Sequence, residues 1–349
     1  MVTQKEKLRV GIVGYGVVGQ RRRHYIDQHP ALKTVAVCDQ KFSLPGKMAD
    51  GVKSFSNYLQ LIEEPLDILF VSVPNYLAAE VTIAGLQRNM HLFCEKPPGK
   101  SVDDVKRVII EERKQPHLKL KYGFNHRYHH SVREALRIIK SGEMGEIINM
   151  RGVYGKSKII PFSGGWRAER KYAGGGVLLD QGIHLVDLMT LFCGEFVDVK
   201  SFVSNSYWKH DVEDNAYAIM RDTSGRVAML HSSATQWQHR FSLDIALTRG
   251  FLVLRGILSG SKSYGEEELI IGRLDESDVG ATREEVIRYL EDNSWSLEIE
   301  EFADSILHDK EIQNGKSEEA LATMNLVYQI YGADTEWSEK YQIGKENHL

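Results

Sequence analysis

Cysteine is scarce in this 349-residue chain, with Cys38, Cys94 and Cys193 the only three. An odd count without CxxC spacing argues against a disulfide framework or a zinc ribbon and fits a reducing compartment. An excess of positive charge is also missing: 44 basic residues face 48 acidic ones, for a net charge of −4. No global basic field therefore exists to hold nucleic acid or an anionic membrane. No run reaches ~18 apolar residues, so no segment is expected to span a bilayer. Met1 to Arg9 alternates charge with polarity and lacks the apolar stretch of a signal peptide. Internal repeats, low-complexity tracts and long linkers are absent as well. These absences together point to a cytoplasmic protein without nucleic-acid or membrane partners.

What is present is ordinary for a globular chain: 42% hydrophobic and 26% charged residues. The length suggests two domains. In the first third, strand-like and helix-like segments alternate. Strands are expected at Leu8–Val13, Thr34–Cys38, Ile68–Val73, His91–Cys94 and Leu118–Phe124. Helices are expected at Val17–Gln28, Val81–Arg88 and Val105–Lys114, the last capped from Ser101. Such alternation predicts a doubly wound parallel sheet over residues 1–125. After Asn125 the pattern changes. Helices at Ser131–Lys140 and from Gly174 to about Phe192 flank a strand at Gly145–Tyr154. Consecutive strands follow at Val197–Ser204, Ala216–Met220, Val227–Ser233, Phe241–Leu247 and Phe251–Leu254, and then helices at Leu297–His308 and Glu318–Tyr331. Residues 126–349 thus read as an α+β domain with a mostly antiparallel open sheet.

Gly14-Tyr15-Gly16-Val17-Val18-Gly19 joins the first strand to the first helix. Glycines there permit a tight turn, close approach of a pyrophosphate and close helix–strand packing. The helix N-terminus adds free N–H groups and the positive end of its dipole. Asp39 follows at the end of the second strand, where a carboxylate accepts from ribose hydroxyls and repels a 2′-phosphate. The pattern favours NAD over NADP. A tight turn without a ligand is the plainer alternative. Arg21-Arg22-Arg23 oppose the helix dipole and need anionic company. Ion pairing supplies it on one reading; on the other they contact a cofactor phosphate, joined by Lys41, and NADP stays open.

Glu95-Lys96-Pro97 closes a strand of the parallel sheet, at the end where ligands of such sheets sit. A lysine in a low-dielectric pocket beside a cationic ring suits proton transfer, and the adjacent proline could lock the geometry through a cis bond. In Gly174–Asp187, Asp180 and His184 are four apart and share a helix face. A carboxylate beside an imidazole orients it and stabilises its protonated form. Other features invite less. His126, His129 and His130 lack a cysteine or carboxylate at ligand spacing, so they read as a polar cleft edge or a solvated surface, and no metal site is expected. Cys94 reads as a small buried group. Ser232–Arg240 mixes aromatic and cationic residues and would shape a subunit interface or reach a phosphate.

The glycine loop, Glu95-Lys96-Pro97, Gly123-Phe124-Asn125-His126-Arg127-Tyr128, Trp166-Arg167 and the Gly174–Asp187 segment together resemble the Gfo/Idh/MocA family, which includes glucose–fructose oxidoreductase and inositol dehydrogenase. The resemblance runs over nearly the whole length. It implies a Rossmann domain and then an α/β domain whose open sheet builds a homo-dimer or homo-tetramer. It also implies a hydride transfer between nicotinamide and a secondary alcohol or ketone of a sugar, cyclitol or sugar derivative. Lys96 would bind the substrate hydroxyl, Asp180 would orient substrate, and His184 would exchange the hydroxyl proton. Cofactor contacts are expected from Gly14, Gly16, Val17, Val18, Gly19, Asp39, Pro74, Asn75, Glu95 and Lys96. Arg127, Tyr154, Trp166 and Arg167 would join Lys96, Asp180 and His184 around the substrate, and several arginines there would suit a phosphorylated or nucleotide-linked sugar. Two departures stand out. Ala78 follows Pro74-Asn75-Tyr76-Leu77 where relatives often carry histidine, and His126-Arg127 replaces an arginine pair. Two other classes stay open: an NAD-assisted glycosidase with transient oxidation, and a non-catalytic dinucleotide-sensing regulator.

Overall fold

The computed structural model describes residues 6–159, 164–259, 264–274 and 282–343. Residues 1–5 of the Met1–Arg9 segment therefore lie outside the described residues. The chain forms two compact units. One runs to Asn125 and also takes in Lys171–Gly174 and Trp295–Leu321. The other comprises His126–Arg170, Gly175–Ser294 and the residues from Ala322 onward. The first division falls between Asn125 and His126. The return of residues 295–321 to the first unit has no counterpart in a single cut at 125/126.

In the first unit, β1 (Leu8–Val13), α1 (Val17–Gln28), β2 (Leu32–Cys38), β3 (Gly46–Lys47), β4 (Lys53–Phe55), α2 (Tyr58–Leu61), β5 (Ile68–Val71), α3 (Asn75–Gln87), β6 (His91–Glu95), α4 (Val102–Glu112) and β7 (Leu120–Gly123) follow one another. The seven strands lie in the order β3-β4-β2-β1-β5-β6-β7, and all pairings are parallel except β3 with β4. Strand order reverses at β1 and β5, which makes their carboxyl ends the place for a ligand. Val10, Ile12, Ile68 and Phe70 are fully buried, which is why their strands read as continuous apolar runs. Helix α3 starts at Asn75 rather than Val81, because Pro74 fits a helix start as well as a strand stop. Ser101 caps α4 by accepting from the Asp104 N–H. Helix α8 (Ser294–Leu307) adds Ile299, Phe302 and Ala303 to this core. Phe70 and Phe93 stack at 4.7 Å, and the Phe302 ring meets both edge-on.

The second unit carries α5 (His130–Ser141), β8 (Ile147–Ser157), one π-type turn at Leu178–Gly182 and α7 (Ile183–Cys193), while α6 (Arg170–Ala173), which belongs to the first unit from Lys171 on, precedes that turn in the chain. Strands β9 (Phe196–Ser204), β10 (Asn215–Asp222), β11 (Val227–Gln236), β12 (Arg240–Leu247), β13 (Gly250–Arg255), β14 (Glu267–Leu274) and β15 (Thr282–Tyr289) follow. Beyond α8 come α9 (Ser317–Ala333), divided between the units after Leu321, and α10 (Thr335–Tyr341). Eight strands lie in the order β15-β14-β13-β12-β8-β11-β10-β9, antiparallel throughout except β11 with β8. Leu230, Leu243, Ile245, Leu252, Leu254 and Leu269 are buried on one face. The other face presents Phe202, Tyr217, Ile219 and Met229 to solvent, Phe202 at 79% exposure. Among the described residues, one helical stretch, Arg170–Cys193, is long and apolar enough to cross a membrane, but 78% of its most apolar window is buried inside the protein, as in a core helix.

Candidate functional site

The first unit sets the glycine loop at the carboxyl end of β1. Gly14 has φ +89°, and a Cβ there would lie 2.2 Å from the Ser72 carbonyl oxygen beyond β5. A Cβ on Gly19 would lie 2.0 Å from the Gly14 carbonyl oxygen. Both glycines are therefore required by the fold itself. Gly16 is different: its φ of −78° suits any residue, and nothing lies within 4 Å of its would-be Cβ. A side chain would fill space that the protein leaves clear above the helix start. Helix α1 has no side-chain cap and no acidic residue in its first turn, and Val17 beside it is 76% exposed. An uncapped helix start with an open cradle fits a pyrophosphate.

Asp39 is fixed at the same edge. One carboxylate oxygen accepts from the Tyr15 N–H at 2.9 Å and the other from the Lys41 N–H at 3.1 Å. The cations expected nearby are occupied by the protein. Arg22 is buried, donating to Glu95 Oε1 at 2.5 Å and pairing with Glu298 at 2.7 Å. Its guanidinium is also packed over the Trp295 ring at 4.2 Å. Burial pushes the Glu298 carboxyl up to about 7 even against the pull of Arg22. Arg23 binds the Tyr15 hydroxyl, Asp27 and Asp50; Arg21 lies over Trp295 at 5.0 Å; the Lys41 ammonium donates to the Tyr15 carbonyl. Of the two readings of Arg21–Arg23, the structure shows ion pairing and ring packing.

Pro74 and Asn75 begin α3, and the Asn75 amide donates to the Ala173 carbonyl at 2.7 Å. The Lys96–Pro97 bond is cis. Lys96 is half-buried at the end of β6, and the Glu95 carboxylate before it is engaged by Arg22. Cys38, Cys94 and Cys193 are all buried free thiols. Burial pushes Cys94 up to about 12, which leaves it inert as a nucleophile at neutral pH.

In the second unit, Asp180 sits in the π-type turn and His184 in the first turn of α7. A π-type turn changes the phase of a helix and recurs at functional sites. The buried Glu213 carboxylate holds this segment, accepting from the Gly176 and Leu178 N–H groups and from the Tyr331 hydroxyl. Burial raises the Glu213 carboxyl in spite of those donors. Asp180 keeps part of its side chain exposed and lies 3.8 Å from Arg167, whose guanidinium covers the Trp166 ring at 4.3 Å. His184 is buried, its ring stacked on His126 with centroids 3.7 Å apart and planes 11° from parallel. The Tyr154 hydroxyl lies 3.3 Å from His126 Nε2, and burial pushes that phenol far above its ordinary range.

Two expectations need revision here. Arg127, expected in the substrate wall, is buried in a two-pronged pair with Asp187, at 2.8 and 2.7 Å, which Thr323 completes. His126 and His129, read as a cleft edge or surface, are both buried. His129 bonds Glu267 at 2.7 Å, and although burial works to raise that carboxyl, His129 and the Ser131 N–H hold it below its ordinary value. No local pattern announces the His126–His184 stack, since the two residues lie on separate segments. In Ser232–Arg240, Ser232 is buried against the Val177 carbonyl, and the exposed Trp237 ring carries the Lys158 ammonium at 3.7 Å. Among the described residues no group of three or more His, Cys, Asp or Glu is arranged to hold a metal.

The chain resembles known oxidoreductases in sequence and in fold. The inositol 2-dehydrogenase of Salmonella paratyphi B is 28% identical over 226 residues, covering 62% of this chain and 65% of that protein. The 1,5-anhydro-D-fructose reductase of Ensifer adhaerens is 29% identical over 215 residues, covering 59% and 62%. The chain thus matches just under two thirds of the length of each. A levoglucosan dehydrogenase solved with NADH and L-sorbose superposes with a TM-score of 0.81 at 18% identity, covering 95% of this chain and 98% of that one. The myo-inositol 2-dehydrogenase of Lactobacillus plantarum superposes at 0.74 with 19% identity, covering 94% and 97%. A sequence model of an oxidoreductase family with an NAD-binding Rossmann fold matches residues 8–124, and one of the GFO/IDH/MocA C-terminal domain matches 132–253. With both of its domains matched in order, the chain belongs to the Gfo/Idh/MocA family of oxidoreductases.

Proposed function

We propose that this protein is an NAD(P)-dependent oxidoreductase, with NAD preferred, acting on a secondary alcohol or ketone of a sugar, cyclitol or sugar derivative. The observation that carries the reading is the cradle at Gly16, which neither backbone geometry nor packing explains and which a pyrophosphate would fill. Gly14, Val17, Val18 and Gly19 would complete it, Asp39 would take the ribose hydroxyls, and Pro74 and Asn75 would border it. When bound, the nicotinamide accepts or releases hydride. Arg22 and Arg23 are held by carboxylates of their own unit, which favours NAD over a 2′-phosphorylated cofactor. Glu95 would hold Arg22 and the strand end from which Lys96 reaches the substrate hydroxyl.

His184 would take the hydroxyl proton during oxidation, since imidazole exchanges protons near neutrality. Asp180 would orient substrate, with Arg167, Trp166 and Tyr154 around it. Arg127 would support this wall through Asp187. The names of the relatives support a polyhydroxylated substrate. The exposed face of the eight-stranded sheet, with Phe202, Tyr217, Ile219 and Met229, would join copies into a homo-dimer or homo-tetramer, and a cytoplasmic location fits the reduced cysteines. The test is turnover: the protein with NAD is offered a panel of sugars, cyclitols and their phosphates while NADH absorbance is followed. NADH formed with one substrate class and lost in His184→Ala supports the reading. A cofactor-binding protein that reduces NAD with none, and oxidises NADH with none of the matching ketones, would contradict it.

A further inference from the structure

We infer that His126 and His184 hold a single proton between them, with His126 a positioning residue that fixes the plane of the His184 ring and opposes its protonation whenever His126 is charged. The two rings are stacked at 3.7 Å and 11°, and both are buried. A flat ring so placed leaves His184 little room to tilt. Two imidazolium charges at that separation, away from water, repel strongly, so the second proton enters much less readily than the first.

Polar and aromatic groups from several elements surround the stack. From β8, Tyr154 places its hydroxyl 3.3 Å from His126 Nε2 and its ring 6.4 Å from His184. Burial keeps that phenol protonated across neutral pH, so it can give or take a hydrogen bond as the imidazole changes state. From β12, Phe241 meets the His126 ring edge-on at 6.0 Å. His129 also meets it edge-on, at 5.4 Å, and is itself bonded to Glu267 of β14. Asp187 on α7 is engaged by Arg127, and Asp180 in the preceding turn faces Arg167.

For its role in turnover the inference rests on the reading of His184 as proton acceptor, but the titration itself does not. The experiment is NMR titration of isotope-labelled histidine rings in the parent, His126→Phe, His184→Phe and His126→Arg, with no cofactor or substrate present. In the parent the two rings titrate in separate steps. The lower step falls about one pH unit or more below the midpoint of the ring that remains in either phenylalanine variant. His126→Arg, a fixed cation, lowers the His184 midpoint below that in His126→Phe, with His126→Gln as the neutral reference if phenylalanine is not accommodated. Parental midpoints equal to those of the single variants, or a His184 midpoint no lower with arginine at 126 than with the neutral residue, would overturn the inference and leave the hydride-transfer reading standing. In turnover, neutral His184 is the accepting form. The acid limb of alcohol oxidation therefore lies at lower pH in His126→Arg than in His126→Phe.

Discussion

The two sheets bury their strands in different ways. In the first unit, β5 is buried at every residue and β1 at its last four, because helices cover both faces of a parallel sheet. In the second, β10 and β12 alternate buried with exposed or half-buried residues, because one face is packed and the other open. The difference extends to chemistry. On the proposed reading the first unit would recognise its cofactor with a glycine turn, a helix start and a carboxylate tied to the Tyr15 N–H. The second would work with side chains locked in buried pairs, such as Arg127 with Asp187 and His126 with His184. Cofactor binding and proton transfer should therefore fail separately.

The sharpest way to break that division is His184→Ala. Loss of a positioned proton acceptor should cut turnover by about 10²–10⁴-fold, while NADH affinity stays near that of the parent. Equal loss of both in a folded protein would merge the two roles. Next in size is Asp187→Leu, which leaves Arg127 buried without its main partner and should cost about 3–5 kcal/mol in denaturant unfolding. Adding Arg127→Met should recover much of that loss, since the uncompensated charge is then gone.

On the first unit, Asp39→Ala should weaken NADH binding about tenfold while sparing NADPH, so that the preference narrows. The smallest effect on chemistry is expected from Ile219→Lys with Met229→Lys on the open sheet face. These should lower the oligomeric state seen by light scattering and leave NADH binding unchanged.

How legible each part was follows from the same contrast. Strands buried on both faces announce themselves as apolar runs, and β1 and α1 stand over the residues expected for them. Elements too short to show a period, such as the two-residue β3 and the four-residue α2, give no such signal. β15 gives none either, because half of Thr282–Tyr289 is charged, as an exposed edge strand tends to be. The glycine loop, Asp39, Lys96, Asp180 and His184 were visible because they are local motifs. The burial of Arg127 against Asp187, and of His126 against His184, depends on segments about 60 residues apart being brought together. No local pattern encodes that meeting.

The most direct measurement is fluorescence titration of the folded protein, free of retained cofactor, with NADH and separately with NADPH. The cradle at Gly16 and the placement of Asp39 predict saturable binding of both or of NADH alone, with NADH the tighter. Binding of neither would contradict the dehydrogenase reading at its base, and tighter binding of NADPH would contradict the role given to Asp39.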